Sequence, residues 1–314
     1  MSVVLQHEAP ETPVPIRKGP FALIWQIIRS KPAAAIGAVV LALIILVALL
    51  APWIAPFGLR ERVGPVYGEP SATHPLGLDD GGVDMVTLLM WGARISLLVG
   101  FAASLVSIVI GGAVGVAAGY FGGKTDTVLM RVTDYFIAIP DVPLMIVVAA
   151  IWGPSLSHII LVIGLLLWTS TARVVRSQVK SVRERVYVKR ARSLGAGHAR
   201  IVFRHIVPQI GPLVIASTVL TIALAIFDET ALAFLGLGDP SRISLGKVIE
   251  NAFTRTAISS GAWWAIVPPG IVVSLIILSC TLLGQAIEDS LNPRLRVSHL
   301  SARRFRLRPR RSDS

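Results

Sequence analysis

The apolar residues of this chain fall in long, nearly unbroken runs separated by polar breaks, without the two-residue alternation of a half-buried strand. Six runs, over residues 33–55, 96–118, 130–152, 156–172, 212–235 and 263–287, approach or exceed the ~20 residues an α-helix needs to cross a bilayer. In lipid, backbone polar groups must be satisfied within helices or a closed barrel, and the lack of alternation excludes the barrel. The pattern predicts an all-α membrane protein with six transmembrane helices and a polar loop between spans four and five. The third run is the irregular one. It contains Arg131, Asp134 and Asp141, and the prolines at 140 and 143 flank Asp141, which predicts a kinked or broken helix. Asp134 lies one turn past Arg131, so these two are expected to pair near the inner surface.

The segments outside the runs are simpler. Residues 1–32 form a polar, Pro-rich tail, within which 21–28 (FALIWQII) is apolar enough to lie along the interface as a short helix. Residues 56–92 are rich in Gly and Pro and are read as a loop with short turns. A six-span domain over 33–293 is followed by a basic tail, 294–314, suited to anionic lipid.

Composition supports the membrane reading and adds a direction. Hydrophobic residues make up 54% of the 314 residues, charged residues 15%, and mean hydropathy is +0.70, more than a soluble domain of this length needs. A net charge of +12 would suit a nucleic-acid partner, but the cations are placed as membrane topology demands. Arg17, Lys18, Arg29 and Lys31 precede the first span, a basic segment follows the fourth, and eight arginines follow Asn292. By the positive-inside rule these groups share the cytoplasmic side, with both termini, in a bacterial cytoplasmic membrane. Trp53, Trp91, Trp152, Trp263 and Trp264 then sit at the outer ends, where indole rings favour the interface. The single Cys280 lies inside the sixth span and reads as a packed thiol.

The segment 173–208 is the strongest polar interruption. Ten Lys or Arg lie between Arg173 and Arg204, against one acid, Glu184. One helical run ends at Leu194-Gly195-Ala196-Gly197, and a second leads to Ile206-Val207-Pro208. Two short helices with a glycine hinge on the inner membrane face make a docking element. A second motif is a decoy. Residues 118–125 (AGYFGGKT) fit a loosened phosphate-loop pattern, yet they join two membrane spans with no preceding strand, so they read as a tight turn and not a nucleotide site.

These features together resemble a known family. The Gly195 hinge and the Ile-x-x-Pro-like ending at Pro208 resemble the coupling loop of bacterial ABC-importer permeases. His74-Pro75-Leu76-Gly77, followed by Gly92-Ala93-Arg94-Ile95-Ser96-Leu97, looks like the segment before span two in dipeptide, oligopeptide and nickel importer permeases. Gly119 to Gly123, Glu229-Thr230, Phe234 to Gly238, Trp263-Trp264 and Asn292-Pro293-Arg294 continue the match in order, so the likeness covers about residues 74–296. The HPLG segment is similar to that of the second of two related permease subunits. Departures occur at Lys189, Arg190 and Ala191, where the family usually has Glu-Ala-Ala, and at 239–246, which replaces a Pro-rich turn.

The resemblance implies a non-catalytic subunit forming half of a translocation pathway for di- or oligopeptides. It implies a homologous second permease, two ABC ATPases that bind ATP and Mg, and an extracytoplasmic substrate-binding protein as partners; this chain itself would need no cofactor. It also implies that Lys189, Arg190, Ala191, Arg192, Leu194, Gly195, Ala196, Arg200 and Arg204 form the ATPase-docking loop. Asp228, Glu229 and Asp134 are candidates for the pathway or for helix packing, because an ionisable group in a span is costly unless paired or hydrated. An ion-driven secondary transporter using these three acids is the alternative, though no internal repeat of the kind common in that class is evident. No His-Glu-x-x-His or nucleophile–base pattern supports an intramembrane hydrolase.

Overall fold

A computed structural model describes residues 31–291 of the chain. The expected interfacial helix at 21–28, the basic tail and Asn292-Pro293-Arg294 lie outside the described residues. Within them the chain is helical, with one isolated bridge between Leu78 and Asp84 in the long loop.

Helix α1, Pro32–Ile54, is the first span and matches its apolar run. Helix α2, Met85–Phe121, is 37 residues long, about 55 Å, and begins well before the expected start at residue 96. The apolar run was cut short by Arg94, but Asp84 caps the helix by accepting from the Thr87 N–H at 2.9 Å, and Met85, Leu88, Gly92 and Ala93 are buried. The segment 56–92 is therefore a loop only as far as Asp84. At the other end, Gly122 has φ +67° and turns the chain directly into α3, Gly123–Ala138. The decoy 118–125 thus forms one helix end and the next helix start.

The third run breaks as expected. Helices α3 and α4, Asp141–Trp152, meet at Ile139-Pro140 with an 83° bend. Helix α5, Leu156–Arg183, extends a full 11 residues beyond the expected end of span four. Its added turns are amphipathic: Val175, Val179 and Val182 are buried while Arg173 faces out. Helices α6, Val186–Ser193, and α7, His198–Ile201, follow, and a π-turn over Val202–Ile206 leads into α8, Val207–Leu232. A second π-turn, Ala233–Leu237, ends this span. A helix that the apolar runs did not foretell, α9 (Leu245–Thr254), lies between spans five and six, capped by the Ser244 hydroxyl. Helix α10, Val267–Leu291, is the last span.

Helices α2 and α5 make the most extensive pairing. Gly111, Gly115 and Gly119 lie one turn apart on α2 and face α5. A Cβ at Gly115 would stand 2.6 Å from the Ala172 carbonyl oxygen, and one at Gly119 would stand 2.7 Å from Val179 Cβ. Only glycine lets the two backbones approach this closely, which in lipid is a main source of helix association. The Ser107 and Thr171 hydroxyls add a buried hydrogen bond of 3.0 Å across the pair.

The indoles divide in role. Trp53, Trp152 and Trp263 are exposed, as the interface expectation requires. Trp264 is buried and donates to the Leu78 carbonyl at 3.2 Å, so it ties the long loop to the last span instead of meeting lipid.

Candidate functional site

The basic loop is mounted on the α2–α5 pair. Arg183, in the last turn of α5, donates to the Tyr120 carbonyl at 3.0 Å, near the end of α2. The Tyr120 hydroxyl shares a 2.8 Å hydrogen bond with His198 Nδ1 at the start of α7. Arg192, at the end of α6, sets its guanidinium 5.8 Å from the centre of the same tyrosine ring. One side chain thus holds both arms of the loop. Beneath them Val188, Ile201 and Ile206 are fully buried against Tyr120, Val175, Val179 and Val182.

The tip of the loop is built differently. Gly195 has φ +76°, its N–H reaches the Arg192 carbonyl at 3.0 Å, and the Ala196 N–H reaches Ala191 at 3.1 Å. This pair of bonds closes the end of α6, and a left-handed residue is needed to make it. Leu194, beside it, is 87% exposed, and a Cβ added at Gly195 would meet nothing within 4 Å. A shallow cavity of about 400 Å³ runs alongside, lined by Val186, Lys189, Arg190, Ser193 and Leu194. The loop therefore has a packed base and an open apex.

Its charge is nearly all uncompensated. Among the described residues, ion pairs engage only Lys189 and Arg183 of the cations from 183 to 204, both through Glu184, at 3.0 and 3.3 Å. The hydrogen bond from Lys189 holds the Glu184 carboxyl below its usual value. Arg190, Arg200 and Arg204 are exposed, Arg190 beside Leu194 along that cavity, and Ala191 is half-buried. All nine residues singled out between Lys189 and Arg204 lie on this one structure.

The three acids part company. Asp134 pairs with Arg173 of α5 at 2.7 Å, not with Arg131 on its own helix. A stronger clamp lies two turns earlier. Asp126 of α3 accepts from two nitrogens of Arg176, with the Nη2 contact at 2.8 Å, and from Lys180 at 2.6 Å. Sequence reading missed this clamp, although the four-residue spacing of Arg176 and Lys180 places both on one face of α5. Glu229 is buried in α8. It accepts from the Ser96 hydroxyl of α2 at 2.8 Å, while that hydroxyl accepts from the Leu245 N–H at 3.2 Å. It therefore joins three helices. Asp228, one residue earlier, is half-buried.

Comparison with known proteins settles what kind of molecule presents this loop. Residues 107–297 match the family described as the binding-protein-dependent transport system inner membrane component. The chain belongs to this family. Residues 19–65 also match the N-terminal transmembrane domain of oligopeptide transport permease C. The permease is 33% identical over 273 residues to the dipeptide transport system permease protein DppC of Bacillus subtilis, covering 87% of this chain and 85% of that one. It is 35% identical over 289 residues to a putative peptide transport system permease protein of Brucella suis, covering 90% and 95%. With the oligopeptide transport system permease protein OppC of Bacillus subtilis it shares 32% identity over 270 residues, 85% and 88% of the two chains. The chain is thus a multi-pass permease of an ABC importer, a transport component and not an enzyme.

Proposed function

We propose that this permease imports short peptides as one half of a two-chain pathway, with the loop around Leu194 and Gly195 docking on an ATPase subunit. The substrate class rests on the relatives, which are peptide permeases by name. The orientation rests on charge. Lys31 and the cations from Arg173 to Arg204 lie at one end of the bundle, which the positive-inside rule assigns to the cytoplasm, together with both termini. ATP and Mg would be held by two separate ATPase chains, a sister permease would complete the pathway, and an extracytoplasmic protein would deliver the peptide.

The observation that carries the docking role is the contrast within the loop. Its base is locked to Tyr120 and a buried valine–isoleucine cluster, while Leu194 stands 87% exposed beside open space at Gly195. An exposed leucine on a packed base, with Arg190 beside it and Arg200 and Arg204 exposed on the same loop, suits an apolar pocket with an acidic rim. Arg190, which forms no ion pair with a described residue, would be met by an acid on that partner, whereas Lys189 is already paired with Glu184.

The test is Gly195→Trp in the assembled transporter. Peptide uptake is expected to fall to background, with normal amounts of permease in the membrane, because the new ring fills the space the partner needs. Uptake at the wild-type rate would overturn the docking assignment.

A further inference from the structure

At the end of the bundle opposite the basic loop, an open cavity of about 550 Å³ lies between α1, α2 and the segment before α9. Its walls are apolar: Ile45, Ala48 and Leu49 from α1, Leu98 and Phe101 from α2, and Ile243. Its mouth is cationic. Arg94 and Arg242 line it, and Arg60 reaches the same rim by donating to the Ser241 carbonyl at 3.4 Å. Arg94 also lies 5.4 Å from the centre of the Trp91 ring, which fixes the guanidinium at the edge of the groove.

Among the described residues, no carboxylate lines this cavity. Two acids flank it in sequence, Asp239 three residues before Arg242 and Glu61 next to Arg60, and each carries hydrogen bonds of its own. Asp239 accepts from Ser241 N–H and hydroxyl at 2.8 and 2.6 Å and from Leu156 N–H at 3.0 Å, and Glu61 accepts from Gly58 N–H at 2.9 Å. None of the three arginines forms an ion pair with a described residue. The depth is informative. Ile45 to Leu49 lie about 8 to 14 Å along α1 from its end at Ile54, a depth at which acyl chains run, while Arg94 precedes the apolar run that begins at residue 96.

We infer that this groove binds a glycerophospholipid of the adjacent leaflet, its phosphodiester held by Arg94 and Arg242 and an acyl chain laid along Ile45, Leu49, Leu98 and Phe101. On the orientation proposed above this is the outer leaflet. Charge complementarity selects the occupant: an apolar slot open to lipid and crowned by paired guanidinium groups matches a phosphate on an acyl stem. The lipid would wedge α1 against α2 beside Ser96, the residue through which Glu229 joins three helices.

The test uses the assembled transporter in lipid nanodiscs doped with phosphatidylglycerol carrying a diazirine in one acyl chain, and a diacylglycerol with the same chain. After irradiation, phosphatidylglycerol is expected to label residues 45–49 or 97–101. The Arg94→Gln/Arg242→Gln double variant should lose this label by on the order of tenfold, and the Lys/Lys double variant should keep most of it. Diacylglycerol should label wild type no better than it labels the Gln variant. Equal labelling by both lipids, or by wild type and the Gln variant, overturns the proposal. So does capture of the sister permease, instead of lipid, by a photoreactive residue at Leu98. Loss of label on adding inorganic phosphate would reassign the arginines to the free ion and overturn the lipid site. Should the Gln variant fail to assemble, Leu98→Trp fills the slot without touching charge; unchanged labelling in that variant is equally fatal.

Discussion

Two helical units hang from the same basic end of this permease and are held by opposite means. The α2–α5 pair is packed backbone to backbone through Gly111, Gly115 and Gly119, with a buried hydroxyl pair and a dense row of valines. The broken α3–α4 unit buries little: Asp126, Thr133, Met145 and Ala149 are its only buried residues, while Tyr135 is 74% and Ile151 75% exposed. Its α3 half is tied to α5 by Asp126, Asp134 and the Phe136–Trp168 ring pair, and its α4 half by Leu144, Met145, Ile146 and Val148 against the apolar cluster of Ile159, Ile163 and Leu167. Close packing transmits displacement without slack, whereas ion pairs between helices can be exchanged. On this contrast α2–α5 is expected to act as a stiff post that carries the loop, and α3–α4, bent by 83° at Ile139-Pro140, as a jointed element.

The sharpest way to break this contrast is to unmake the post. Gly115→Leu forces a side chain into the Ala172 carbonyl and Val175, and overpacking of this kind costs about 1–3 kcal/mol or more. Thermal unfolding of the purified protein is expected to show a clear loss of stability, and uptake should fall with it; an unchanged melting curve would mean that the two helices are not closely packed. Asp126→Asn should do less to stability, about 1 kcal/mol, by leaving Arg176 and Lys180 facing each other without their shared anion. Its signature is local, with proteolysis or labelling of α3 rising while α2 and α5 stay protected. Uniform loosening of all three would place the clamp inside the rigid unit.

The loop base supplies the smallest effect. Glu184 is fully exposed and its carboxyl titrates below the usual value because Lys189 donates to it. A depressed carboxylate contributes fully above its unfolded value, about pH 4.3, and that contribution is lost as pH falls through the lower folded value. Glu184→Gln should therefore leave stability at neutral pH almost unchanged and flatten the acid limb of the stability curve slightly. A large loss at neutral pH would show that the Glu184 bridge, and not the Tyr120 post, holds the loop.

The spans were legible because lipid demands long apolar runs, and the break at Pro140 was legible because proline cannot sustain a helix interior. Helix ends were harder. Arg94 and Arg173 stopped the apolar runs, but an amphipathic face does not stop at a charge, so α2 and α5 run on to Met85 and Arg183. The short helix α9 escaped because its ten residues are amphipathic and too few for a span. In the loop, the turn at Gly195 could be read from its glycines. The post could not be read: Tyr120 and His198 are 78 residues apart and meet only when α2 and α5 pack. Asp134 was assigned to Arg131 because sequence spacing sees one helix at a time, whereas its partner Arg173 comes from the neighbouring one.

The most direct test measures distances between spin labels in the assembled transporter, with and without ATP held in the ATPase chains. Labels at Val109 and Ser170 report on α2 against α5, and labels at Ile151 and Ser170 report on α4 against α5; the native Cys280 is buried and stays unlabelled. The account predicts an unchanged α2–α5 distance and a shifted α4–α5 distance when ATP binds. A shift between Val109 and Ser170 of the same size would contradict it, because the post would then be a hinge.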